Sequence, residues 1–218
     1  MPSTHVSIAW FKLAECIRRG EKERSLSVYR LLIHSLKDEA VAYQLKGDLL
    51  ATFHMHEEAA HAYHAAAQIF EKQQREFQAA YAHECVIVHN PRWYHNYHIL
   101  VAWYTHIGVV QRAQTIAQEL LRALINDGYI SRAYETLHTY VTYFSRDDVA
   151  YLYELFIQHA LEKSHGSADR AMIHTGIAKA IDVYRDMHDE SSIQTLFDTL
   201  ARTDSQAYQY AQHYHENG

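Results

Sequence analysis

The sequence predicts an all-α fold, one solenoid of about twelve antiparallel helices. Three observations carry this. Tyr29, Tyr63 and Tyr97 recur every 34 residues, and their neighbours keep the beat: Leu32, Ala66, Leu100; then Ile33, Ala67, Val101; then Leu36, Phe70, Tyr104. A 34-residue period in helix-forming sequence marks stacked helical hairpins, none of which buries its apolar face alone. Apolar residues also follow a helical period along nearly the whole chain. Finally, only 7 Gly and 2 Pro occur among 218 residues, too few turn formers for an all-β chain.

The elements follow in order. The first helix is expected over 3–19, with Ile8, Trp10, Leu13, Ala14 and Ile17 apolar and Gly20 ending it. The second covers 22–36, with Leu26, Tyr29, Leu32, Ile33 and Leu36 on one stripe. Asp38 is a candidate N-cap for the third, over 38–53. Helices over 56–72 and 75–89 follow, and Asn90-Pro91 breaks the chain. Next come 92–107, stopped by Gly108, and 109–126, stopped by Asp127-Gly128.

Beyond this point the beat drifts, because Tyr134 lies 37 residues after Tyr97. Helices remain legible over 130–144 and 147–164, with a capping segment at Ser145 to Asp148. A break at His165-Gly166-Ser167 precedes helices over 168–188, 192–202 and 206–215. Regular repeats are thus expected over about 22–126 and degenerate ones over about 129–215, in one domain covering 1–218. A register one helix out of phase, using Gly47, Ala59, Tyr63 and Ala66, also fits.

Composition narrows the function classes. Hydrophobic residues make up 48%, enough for a continuous core. Twenty Lys and Arg against 26 Asp and Glu give a net charge of −6. Such a chain, without a basic run, is not expected to bind nucleic acid. Cys16 and Cys85 form no C-x-x-C and are expected as buried, reduced thiols, a single structural disulfide being the alternative, which would imply an oxidising compartment. The N-terminal apolar stretch is interrupted by Lys12 and Glu15, unlike a signal peptide. No window approaches the roughly 18 apolar residues of a membrane span. A cytoplasmic protein is therefore expected. Eighteen His and 17 Tyr are more than a helical solenoid requires.

Tyr63, Ala66, Ala67 and Phe70, then Ala79, with Pro91 at the closing place, form one unit. Tyr97, Leu100, Val101 and Tyr104, then Gly108, Ala113 and Ala117, form the next. This pattern resembles the tetratricopeptide repeat (TPR) over about 22–126. The resemblance implies a right-handed α–α superhelix and a non-enzymatic protein–protein interaction scaffold or adaptor. It also implies that the first helix of each hairpin lines a concave groove holding a peptide or helix. Val101 and Ile33 replace the family's small residue. The stretch 59–72 is also similar to SNAP-type membrane-fusion adaptors.

Carried over residue by residue, the resemblance puts Arg30, His34 and Lys37 in the groove. His61, His64 and Gln68 join them from the second unit, and His95, His98 and His106 from the third. Arg132 continues the surface if Tyr134 restarts the pattern. Three readings of this His-rich surface are open. It is a set of ordinary polar contacts, a pH-responsive surface, or a metal site made by His61, His64, His95 and His98.

The Lys/Asn/Arg clamp by which some TPR proteins hold chaperone tails is not matched. His83-Glu84 lacks the second His of a metalloprotease motif. His54-Met55-His56 lies at a helix junction, where solvation is expected. No nucleophile elbow, P-loop or dinucleotide fingerprint occurs. No enzyme activity and no cofactor are expected. The partner is expected to be a protein or peptide, and the C-terminal helices with Tyr208, Tyr210 and Tyr214 are a candidate surface for self-association.

Overall fold

The computed structural model describes residues 4–164 and 166–217. Among these, twelve α-helices follow one another without a strand: α1 (Thr4–Arg18), α2 (Lys22–Ile33), α3 (Glu39–Thr52), α4 (His56–Lys72), α5 (Glu76–His89), α6 (Tyr94–His106), α7 (Val110–Asn126), α8 (Ile130–Tyr140), α9 (Arg146–Lys163), α10 (Ser167–Asp186), α11 (Glu190–Thr203) and α12 (Ser205–Asn217). Every helix expected from periodicity is present. His165, in the break before α10, and Ser3, at the expected start of α1, lie outside the described residues.

Two helices end earlier than their apolar pattern. α2 stops at Ile33 because Ser35 caps back, its hydroxyl donating to the Leu32 carbonyl at 2.7 Å. Asp38 then starts α3, accepting from the Val41 amide at 3.3 Å as expected of an N-cap. α8 stops at Tyr140, and Ser145 caps α9 by accepting from the Asp148 amide at 3.3 Å.

Six helix ends share one turn. Gly20, Gly108 and Gly128 have positive φ, and so do His54, Gln74 and His188, at φ 57, 58 and 57. In each case the next residue donates its amide back to the final helical turn, as Met55 does to Leu50 at 3.0 Å. Glycine betrays three of these turns in the sequence. The other three place a side chain in a region that costs roughly 1–2 kcal/mol.

The chain divides into two compact units, Met1–Trp103 and Tyr104–Gly218, the boundary falling inside α6. In the first, each of α1 to α5 packs on its neighbour in sequence. Small residues let these helices approach closely. Ala66, Ala67, Ala79 and Ala82 are buried around Phe70. Gly47 of α3 lies directly beneath the Tyr63 ring of α4, where an added Cβ would meet ring carbons at 2.7 Å. That close crossing packs α3 on α4, and α4 packs as extensively on α5. Tyr29, Tyr63 and Tyr97 are all buried. They are packing residues.

In the second unit, helices touch their neighbours and also the next but one, α7 with α9, α8 with α10 and α10 with α12. The 34-residue beat, lost from the apolar pattern there, returns in polar contacts. Gln114 donates to Asp148 at 2.9 Å and Arg170 to Asp204 at 3.1 Å, each pair 34 residues apart.

Asp204 also starts α12, accepting from the Gln206 and Ala207 amides at 2.9 Å. The Ala207 amide holds its carboxyl below the ordinary carboxylate range; partial burial opposes this and Arg170 reinforces it. A depressed carboxyl contributes stability above its unfolded pKa, lost as pH falls through the folded value. Asp204→Ala is expected to lower stability by about 1–2 kcal/mol at neutral pH. The gap to wild type should narrow progressively as pH falls below about 4. Urea titrations at pH 7 and pH 3 check this, and an equal gap at both would refute it.

Candidate functional site

The first unit carries a cleft of about 510 Å³ between α2 and α3. Its walls include Arg30, His34 and Lys37, three of the residues expected in a groove, and Lys46, which the sequence reading did not single out. Tyr29, Leu26, Ile33 and Tyr43 supply the apolar part. A second cleft of about 470 Å³ shares Leu26, Arg30, Tyr43 and Lys46 and runs on to Glu58 and His61 of α4. The two therefore form one continuous surface across α2, α3 and α4.

Arg30, Lys37 and Lys46 are exposed and take part in no ion pair among the described residues, while other surface cations do, as Arg24 does with Glu21 at 3.0 Å. Glu39 and Glu58 are the acids on the same walls. In a chain of net charge −6, this is a local excess of positive charge over an apolar floor. Lys46 escaped the sequence reading because it lies on α3, which the assumed register turned away from the groove.

The four histidines that one of the three readings made a metal site have other neighbours. His61 and His64 both pack edge-on against Trp93, with ring centroids 4.8 and 5.2 Å away. His64 Nε2 lies 3.0 Å from Gln68 Nε2. Burial, then neighbouring His83, holds the His64 imidazole below its ordinary pKa, with Asn96 and Glu71 acting the other way. His95 is exposed and His98 half-buried. Among the described residues no three His, Cys, Asp or Glu side chains surround a common point. His61, His64, His95 and His98 are thus not gathered round one point. A tryptophan two residues before His95 occupies the space beside the α4 pair.

His83 is buried and structural. Its Nδ1 lies 2.7 Å from Asn96 Oδ1 and its Nε2 lies 2.9 Å from Glu71 Oε1. Asn96 donates its own amide to the Trp93 carbonyl at 3.1 Å, which turns its oxygen toward His83. This network locks the loop before α6 onto α4 and α5. His83 thus has a packing role.

A second His group sits at the α3–α4 turn. His56 Nδ1 is 3.0 Å from His89 Nδ1, and the His54 and His56 ring centroids are 6.0 Å apart. His89 stacks on Tyr63, centroids 5.6 Å apart and planes within 5°. His54 and His56 are exposed, as expected, but His56 has a specific partner 33 residues away that only the fold reveals.

In the second unit, His106 and Arg132 are exposed. Neither lines that unit's cleft of about 380 Å³ between α9 and α11. There Glu154 and Glu162 face Thr195, Thr199 and Thr203, whose hydroxyls are bonded to backbone carbonyls one turn back. The C-terminal tyrosines are engaged within the chain. Tyr210 stacks on His174 at 4.2 Å, Tyr214 donates to Asp182 at 2.9 Å, and Tyr208 packs edge-on against Phe197. Cys16 and Cys85 are free thiols. No helix among the described residues is long and apolar enough to cross a membrane.

No family model and no curated protein matches this chain. Among solved structures, the chain is similar to one titled BtubC (BKLC) from P. vanneervenii. The two share 15% identity, with 88% of this chain and 76% of the other covered, at a TM-score of 0.31. A likeness that low carries no argument about fold or function, so the molecule is described by its own geometry: an all-helical chain with a cationic cleft across α2, α3 and α4.

Proposed function

We propose that this chain is a non-enzymatic interaction scaffold built as a TPR-like right-handed superhelix. It binds an extended, acidic segment of a partner protein along α2, α3 and α4. The observation that supports this is the set of exposed cations Arg30, Lys37 and Lys46, without ion-pair partners among the described residues, around an apolar wall containing Tyr29 and Tyr43. Unpaired charge beside apolar surface serves a ligand that brings the opposite charge and its own apolar side chains. His34 and His61 lie on the same walls and add hydrogen-bonding capacity.

The test uses fluorescent peptides carrying alternating acidic and apolar residues. Wild type is expected to bind them with an affinity that falls as salt rises. The triple change Arg30→Glu, Lys37→Glu and Lys46→Glu should weaken binding about 100-fold. Reversal of Lys163, Arg185 and Arg202 in the second unit should not. Equal binding by the triple variant would remove the cleft from the site. Better binding of basic peptides would overturn the charge assignment.

A further inference from the structure

His56 opens α4 and His89 closes α5. Folding brings their Nδ1 atoms to 3.0 Å from one another, at a surface position where solvent reaches His56. Two imidazole nitrogens bound to one tetrahedral zinc stand about 3.4 Å apart, given Zn–N bonds of about 2.0–2.1 Å. Their ring centroids stand 5.2 Å apart with planes 24° from parallel, so the two nitrogens face each other nearly head-on, and both a small separation and a tilt of the rings are needed for them to share one ion. Without one, the contact holds only if one ring donates a proton to the other, since two protonated rings would repel.

The neighbours suit such a site. His89 is held by its stack on Tyr63, and Tyr63 is fixed by donating its hydroxyl to Asp48 Oδ1 at 2.7 Å. Groups behind a ligand that fix its orientation are what distinguishes a metal ligand from a loose surface imidazole. The end of α5 presents the negative end of its dipole to a cation at His89. His54 sits on the αL turn just before α4, its ring 6.0 Å from that of His56. Its side chain must rotate to join the pair. Among the described residues no three ligands are already gathered, so that rotation belongs to binding.

The geometry points to a surface site for a divalent ion of the zinc class, ligated by His56 and His89 with His54 as third ligand and water completing the shell. Imidazole favours zinc, copper and nickel over calcium and magnesium. The site lies at the α3–α4 and α5 ends and does not depend on the peptide cleft. Its role is to clamp the end of α5 to the start of α4.

The experiment is calorimetric titration of the tag-free, chelator-treated full chain with zinc, and optical titration with cobalt. One zinc per chain is expected, together with the visible bands of tetrahedral cobalt. His56→Gln is expected to weaken zinc binding at least tenfold, and His56→Gln/His89→Gln to abolish it. His54→Gln should weaken it several-fold, and His61→Gln/His64→Gln should leave it unchanged. Circular dichroism checks that each variant is folded. His56 is exposed, so its single substitution remains informative even if the double variant fails to fold. No zinc binding by wild type, wild-type binding by His56→Gln, or loss of binding in His61→Gln/His64→Gln instead would each overturn the site. Full affinity in His54→Gln would overturn the three-ligand assignment.

Discussion

Tyr63→Ala is expected to destabilise the first unit by about 3–5 kcal/mol, the cost of removing a buried aromatic ring. The ring is 3% exposed and is sandwiched between Gly47 on α3 and the His89 ring on α5. Its removal opens a cavity at the crossing of three helices. Tyr63→Phe should cost only about 1 kcal/mol, because it deletes one hydrogen bond to an exposed acceptor. Urea unfolding of both variants gives the comparison. A loss below about 1 kcal/mol for Tyr63→Ala would show that the ring is not the central packing element. Gly47→Ala tests the same contact from the other side. At an open helical position, Ala in place of Gly stabilises by roughly 1 kcal/mol. Here the new methyl meets the ring at 2.7 Å, and a net loss is expected.

The second large effect is expected in the other unit. Phe156 of α9 is fully buried, and an added Cβ on Gly176 of α10 would lie 3.0 Å from its ring. Phe156→Ala should cost about 3–5 kcal/mol. Gly176→Ala should be destabilising in the wild-type chain, because the ring must give way. In the Phe156→Ala background the same change should be neutral or stabilising, because the methyl then enters a cavity. A double-mutant cycle is expected to show coupling above about 0.5 kcal/mol. Additive effects would mean that the ring and the glycine do not share a tight contact.

These two crossings illustrate what the sequence makes legible. Tyr63 and Phe70 were picked out by their 34-residue neighbours, and both are buried. Gly47 enters the repeat pattern only in the alternative register, and Gly176 in neither. A glycine inside a helix does not say which ring lies over it. Similarly, Gly20, Gly108 and Gly128 announced helix ends, but His54, Gln74 and His188 adopt the same positive φ without that signal. Their turns are imposed by the helices on either side.

The site was legible in the same uneven way. Arg30, His34, Lys37 and His61 were expected on one surface, and all four line the α2–α4 clefts. Lys46 was not, because its helix had been assigned to the other side of the hairpin. His61, His64, His95 and His98 share a repeat spacing, yet spacing cannot foresee that Trp93 lies against both α4 rings. His89 belongs to no sequence motif with His54 and His56; the 3.0 Å approach arises from where α5 ends relative to where α4 begins.

Sequence by itself determined that this chain is helical nearly throughout, where its twelve helices lie, and that Tyr29, Tyr63 and Tyr97 and the alanines on their beat are buried. These follow from local propensity and from a 3.6-residue apolar period, which act within a helix. Tertiary structure alone decided which helices cross closely, which cations share a cleft and which histidines meet. The Gly47–Tyr63, Phe156–Gly176 and His56–His89 contacts join residues 16, 20 and 33 apart, and their distances are set by packing between helices, for which no local pattern codes.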